Sequence, residues 1–155
     1  MKKIILVLVF FTFSHLVFAQ YKNQVRGIHG YEMTSGKGFF GMNFTGEYFP
    51  LNYFSLAGGF TIYTPATGSA RGFDVNARYY FTEKERQWYG TLGFGHYTRV
   101  FEFNPEGIRR HNSINLGAGG MLKLRDEIGI NPEIIYQPMG RNEVIFKLAI
   151  VYFIN

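Results

Sequence analysis

From Phe40 onward, apolar and polar positions alternate with a period of two. Phe40, Met42, Phe44, Gly46 and Tyr48 share one face, and Gly41, Asn43, Thr45 and Glu47 share the other. Successive side chains of a strand point to opposite faces, so this alternation predicts half-buried strands rather than helices. The next two segments repeat it. Phe54, Leu56, Gly58, Phe60 and Ile62 oppose Tyr53, Ser55, Ala57, Gly59 and Thr61. Phe73, Val75, Ala77, Tyr79 and Phe81 oppose Gly72, Asp74, Asn76, Arg78 and Tyr80. In the second half, Leu92 and Phe94 oppose Thr91, Gly93, Gly95, Tyr97 and Arg99. Ile114, Leu116, Ala118 and Leu122 oppose Ser113, Asn115, Gly117, Gly119 and Lys123. Ile128, Ile130, Pro132, Ile134 and Tyr136 oppose Gly129, Asn131, Glu133 and Gln137. Val144, Phe146, Leu148, Ile150 and Tyr152 oppose Glu143, Lys147 and Ala149. A weaker segment, about Gly27 to Thr34, precedes them all and brings the expected strands to eight.

The breaks differ in kind. Pro50-Leu51-Asn52, Thr82 to Gln87 and Arg125-Asp126-Glu127 are short. Ser35 to Gly38, Thr64 to Arg71, Glu102 to Arg110 and Pro138 to Asn142 alternate with them. No linker, second domain or solenoid repeat interrupts the series. Two architectures fit. A soluble sandwich or calycin-like barrel would turn the apolar rows inward. A transmembrane barrel would turn them out into lipid and line its lumen with small and polar residues. Three features favour the second. The polar rows mix Gly with scattered charges, aromatics cluster near strand ends, and segments of about ten residues match a tilted span. The expected fold is therefore all-β: an eight-stranded antiparallel up-and-down transmembrane β-barrel over residues 20–155. An even strand count puts both termini on the periplasmic side, with the short turns, and the other four connections outside.

Composition agrees with this and removes alternatives. Aromatic residues reach 19%, from 17 Phe, 11 Tyr and 1 Trp, and there are 19 Gly, which disfavours a helical bundle. Charged residues are only 17%, too few for a disordered chain of this apolar content. There is no Cys, which excludes a disulfide scaffold, a Cys-ligated zinc site and an N-terminal lipoprotein anchor. The start differs from everything that follows. Lys2-Lys3, an apolar run from Ile4 to Phe13 and the exit Val17-Phe18-Ala19 read as a secretory signal peptide, residues 1–19, too short to span a bilayer.

The chain carries 16 Lys and Arg against 11 Asp and Glu, a net charge of +5, and the leader removes two of the basic residues. The remainder are dispersed, with no run longer than Arg109-Arg110, so direct nucleic-acid binding is not expected. No metal or cofactor motif appears. His29, His96 and His111 are isolated, and His96 reads as an aromatic on the outward face. Gly117-Ala118-Gly119-Gly120 lies within a strand and lacks the helix N-terminus that a phosphate loop requires. His111 and Ser113, two apart on one strand face with Glu127 downstream, match the residue types of an acyl-removing barrel esterase. That lipid-modifying alternative is disfavoured, because both side chains turn into the lumen and Glu127 falls beyond the strand's far end. A non-enzyme is expected.

The candidate site residues are of two kinds. Glu47, Asp74, Arg78, Arg99, Lys123, Glu133 and Lys147 are expected to form a lumen charge network. Glu47 would pair with Arg78 and Asp74 with Arg99, because an unpaired lumen charge is costly. Thr67, Arg71, Glu106, Arg109 and Arg110 are candidate external-loop contacts. Eight strands leave an interior just filled by side chains, so no pore is expected. A non-enzymatic barrel with a structural or partner-binding role follows, in contact with outer-membrane lipid. A generic surface barrel that binds an envelope or host ligand through its loops is the alternative.

Ala19-Gln20 leads into Val25-Arg26-Gly27-Ile28. Later come Gly117-Ala118-Gly119-Gly120-Met121-Leu122-Lys123-Leu124 and the terminal Val151-Tyr152-Phe153-Ile154-Asn155. In these stretches the chain resembles the TraO family of conjugal-transfer proteins of conjugative transposons. The resemblance implies a small protein with a signal peptide, expected at the outer membrane. It also implies an accessory role in DNA transfer between cells, through contact with other transfer-apparatus proteins rather than DNA. It carries over no catalytic residue.

Overall fold

The computed structural model describes residues 22–36, 39–103, 107–140 and 142–154. The expected signal peptide lies outside the described residues. Among them are eight strands and no helix: β1 (Val25–Thr34), β2 (Phe40–Leu51), β3 (Phe54–Tyr63), β4 (Ser69–Tyr80), β5 (Arg86–Val100), β6 (Arg109–Lys123), β7 (Ile128–Gln137) and β8 (Glu143–Ile154). Each pairs antiparallel with its sequence neighbours, and β1 closes on β8 from Val25↔Ile154 to Thr34↔Ile145. Closure leaves no strand at a free edge of the sheet, although β7 covers β6 only at Leu116–Gly119 and Leu122–Lys123, and the loop end of β6 pairs with β5 alone.

The faces are inverted relative to a soluble domain. Inward-facing Arg26, Ser55, Thr61 and Asn115 are fully buried, whereas Leu92, Phe73 and Leu148 on the outer wall are more than half exposed. The apolar rows circle the barrel on every strand. Soluble monomers rarely expose contiguous apolar patches beyond a few hundred Å². A surface of this kind is stable against hydrocarbon, which makes the barrel a transmembrane one. Rings mark both rims. Tyr48, Trp88 and Tyr152 lie toward the end that carries the termini; Phe40 and Tyr136 lie toward the other. Two tyrosines tie the rims to polar connections. The Tyr48 hydroxyl donates to Asn23 Oδ1 at 3.2 Å and the Tyr136 hydroxyl to Asn142 Oδ1 at 3.0 Å.

The wall's curvature rests on glycine. A Cβ at Gly30 would lie 2.3 Å from the Ala149 Cα and the Leu148 carbonyl oxygen. One at Gly93 would lie 2.3 Å from the Val75 carbonyl oxygen. Only a residue without a side chain admits so close an approach of neighbouring strands. At the terminal end, the ladder between β2 and β3 shifts register between Tyr48 and Leu51. Pro50, which has no N–H to donate, falls at that irregularity.

Strand ends differ from the sequence reading. β4 begins at Ser69 and β6 at Arg109, so the connections above them are 64–68 and 101–108. Arg71, Arg109 and Arg110, expected in loops, are strand residues. Charge marks them as solvent-facing, but in β4, β5 and β6 the ladder continues past the last apolar row. Arg71 pairs with Thr98, Arg110 with Thr98 and Arg109 with Arg99.

Candidate functional site

Strand parity carries the polar rows into the lumen, and their lengths fix what they meet there. Glu47 of β2 lies beside Arg78 of β4, with Oε1 to Nη1 at 3.4 Å. Arg78 Nη2 donates to both carboxylate oxygens of Glu133 on β7, at 3.1 and 3.0 Å. Glu47 also accepts from Ser55 and, at 2.7 Å, from the Tyr80 hydroxyl. Arg26 of β1 completes this layer at 3.9 Å from Glu47. A second layer lies nearer the loop end. Lys147 Nζ is 3.1 Å from Glu32 and 3.6 Å from Asp74, and the Tyr63 hydroxyl donates to Glu32. Asn115 Nδ2 donates to Asp74 at 3.0 Å and to Asn76 at 2.9 Å, and Gln137 donates to Asn115 at 2.8 Å.

Rings cap these layers. Phe49, Tyr80 and Tyr89 cluster toward the terminal end, where the Arg26 guanidinium lies 4.3 Å from the Phe49 ring centre. Phe39, Tyr63, Ala70 and Tyr97 cluster toward the loop end. Each charged layer is thereby held away from water, which strengthens its pairing and makes any unpaired member costly.

The expected network is thus partly regrouped. Glu47 and Arg78 come together. Asp74 turns to Lys147 rather than Arg99. Arg99 stands near the loop end, its guanidinium 4.8 Å from the Phe39 ring centre and 4.5 Å from that of Phe101. Lys123 lies at the opposite mouth, a third exposed, and pairs with Asp126 at 3.0 Å. Both face inward, but at strand ends a long side chain reaches the mouth instead of the interior. Arg26 and Glu32, absent from the expected network, belong to it. Outward Tyr31 and Met33 in the weak first segment set the parity that would have found them.

The expected loop contacts separate as well. Thr67 lies in the 64–68 connection and lines an open cavity of about 410 Å³ with Phe101, Ile108 and Arg109. Arg71 and Arg110 are exposed on β4 and β6. Glu106 lies outside the described residues.

The esterase-like trio is not assembled. Ser113 is buried, and its hydroxyl donates to the Gly95 carbonyl at 3.4 Å. His111 lies near the Tyr97 ring, and Glu127 follows the other end of β6. Among the described residues no group of three His, Asp or Glu could hold a metal ion. His96 does face outward, as expected, and its Nδ1 is 2.7 Å from Asn112 Oδ1.

Closure, inverted faces and a charged interior define the class, a small eight-stranded transmembrane β-barrel. Within it, the chain is similar to the N-terminal barrel domain of Pseudomonas aeruginosa OprF. The TM-score is 0.76 at 17% identity, over 87% of this chain and 100% of that one. It is similar also to Ail, the attachment invasion locus protein of Yersinia pestis (TM-score 0.64, 22% identity, 86% of this chain and 99% of that one). A de novo designed transmembrane β-barrel matches with a TM-score of 0.68 at 12% identity, over 88% of this chain and 100% of that one. At these identities the likeness is one of fold. No protein-family model and no curated protein matches the chain.

Proposed function

We propose that the protein is a non-enzymatic barrel of the outer membrane of a Gram-negative cell, with a structural or partner-binding role. The observation that carries this reading is the inversion of faces, with apolar rows outside and paired charges within. A lumen occupied by Arg26, Arg78, Lys147 and their carboxylates supports an anchoring or docking role over conduction. Lys2-Lys3 and the apolar run to Phe13 support export by a signal peptide cleaved after Ala19. The order of short and longer connections supports termini in the periplasm.

The finer reading is an accessory of conjugal DNA transfer that contacts other transfer-apparatus proteins. It is supported by the resemblance of Val25 to Ile28, Gly117 to Leu124 and the C-terminal stretch to the TraO family. Deletion of the gene in a donor tests it. The expected result is a loss of mating frequency restored by the gene in trans; unchanged mating would leave the second reading. That reading is a surface barrel that binds an envelope or host ligand through its loops. It is favoured by the extension of β5 and β6 and by the exposed Phe103 above them.

A further inference from the structure

Three rows of outward-facing residues cross β4, β5 and β6 in register at the loop end. The lowest is apolar: Val75, Phe94 and Ile114. The next is mixed: Phe73, His96 and Asn112. The highest is cationic: Arg71, Thr98 and Arg110. Rows two residues apart are separated by roughly 6.6 Å along the strands. The outer wall thus passes from hydrocarbon-compatible to cationic over the depth of a lipid headgroup.

The polar members of these rows are organised. His96 Nδ1 lies 2.7 Å from Asn112 Oδ1, and its Nε2 lies 3.2 Å from the Thr98 hydroxyl. This fixes the imidazole and leaves the Asn112 amide nitrogen as a donor. Arg71 and Arg110 flank Thr98, one on each neighbouring strand, so their backbones are roughly 10 Å apart. Two long guanidinium side chains can close on one group across that gap. Among the described strand residues, none offers them a counter-charge on the outer wall. The described strand carboxylates, Glu32, Glu47, Asp74, Glu133 and Glu143, are all buried in the lumen. On β3 the neighbour of Arg71 is Ile62, so the cationic row is confined to this side of the barrel.

We infer that Arg71, Arg110 and Asn112 bind the anionic phosphate headgroup of a membrane lipid whose acyl chains lie against Phe94 and Ile114. Guanidinium groups match phosphate oxygens with paired N–H donors. A lipid adds apolar contact one and two rows below, which a free anion cannot make. The inference rests on the reading of the outer wall as lipid-facing.

The test is native mass spectrometry of the protein extracted from membranes in detergent. It is incubated with phosphatidic acid, with diacylglycerol of the same acyl chains, or with inorganic phosphate. The wild type is expected to retain phosphatidic acid over diacylglycerol. R71Q/R110Q is expected to lose roughly tenfold or more of that binding. R86Q/R125Q removes equal charge at the opposite end and is expected to bind as the wild type does. Equal binding by R71Q/R110Q, or inorganic phosphate bound as tightly as phosphatidic acid, would overturn the inference. Each protein is first run unboiled and boiled on a gel. If R71Q/R110Q shows no heat shift, R110Q alone replaces it, with an expected loss of roughly threefold. A wild type without a heat shift would overturn the membrane-barrel reading itself, a failure distinct from that of the lipid site.

Discussion

Arg78 holds two carboxylates, Glu47 and Glu133, in a lumen closed by rings at both ends. Replacing it with Met leaves Glu133 buried without its ion-pair partner and Glu47 with only the more distant Arg26. The expected cost is about 3–5 kcal/mol, measured as a shift in the urea midpoint of the reconstituted barrel. Glycine gives a second test at this scale. Gly93→Ala puts a Cβ against the Val75 carbonyl oxygen, and a loss of about 1–3 kcal/mol is expected. Gly46→Ala points into open space and is expected to change stability by less than about 0.5 kcal/mol. Equal effects would contradict the assignment of inner and outer faces. Much of the interior was legible from parity alone. Glu47, Asp74, Glu133 and Lys147 each sit opposite an apolar row in the sequence, and each is in the lumen. Parity gives the face but not the height. Arg99 and Lys123 share the inner face and nevertheless stand at opposite mouths, and the partner of Asp74 is Lys147, from a strand distant in sequence.

Strand number, strand order and the places of the turns at the terminal end follow from alternation and its breaks, although Pro50 and Leu51 belong to β2 and Arg86 and Gln87 to β5. The far ends do not. Above the last apolar row the outer face of a strand meets water or headgroups and turns polar, so the period-two contrast fades and charge reads as loop. That is why Arg71, Arg109 and Arg110 were expected in connections, while β5 and β6 continue to Val100 and from Arg109. The orientation of these elements is testable because the chain has no cysteine of its own. Phe103→Cys in the 101–108 connection is expected to react with an impermeant maleimide on whole cells. Asp126→Cys in the 124–127 turn is expected to react only after the envelope is opened. The reverse pattern would invert the barrel in the membrane. It would also place the row of Arg71 and Arg110 in the inner leaflet.

At the scale of the whole molecule, the wall is closed by the first and last strands. The ladder from Val25↔Ile154 to Thr34↔Ile145 joins segments from opposite ends of the chain. No local pattern reports this pairing; an even number of spanning strands and the absence of a tolerable open edge in lipid require it. A closed wall around buried ion pairs resists detergent as a unit. The central claim is therefore tested by electrophoresis of an outer-membrane fraction, unboiled against boiled. The expected result is a band that changes mobility on boiling, as a compact barrel opens into an unfolded chain. One unchanged band, with the protein recovered in the soluble periplasmic fraction, would contradict the transmembrane barrel.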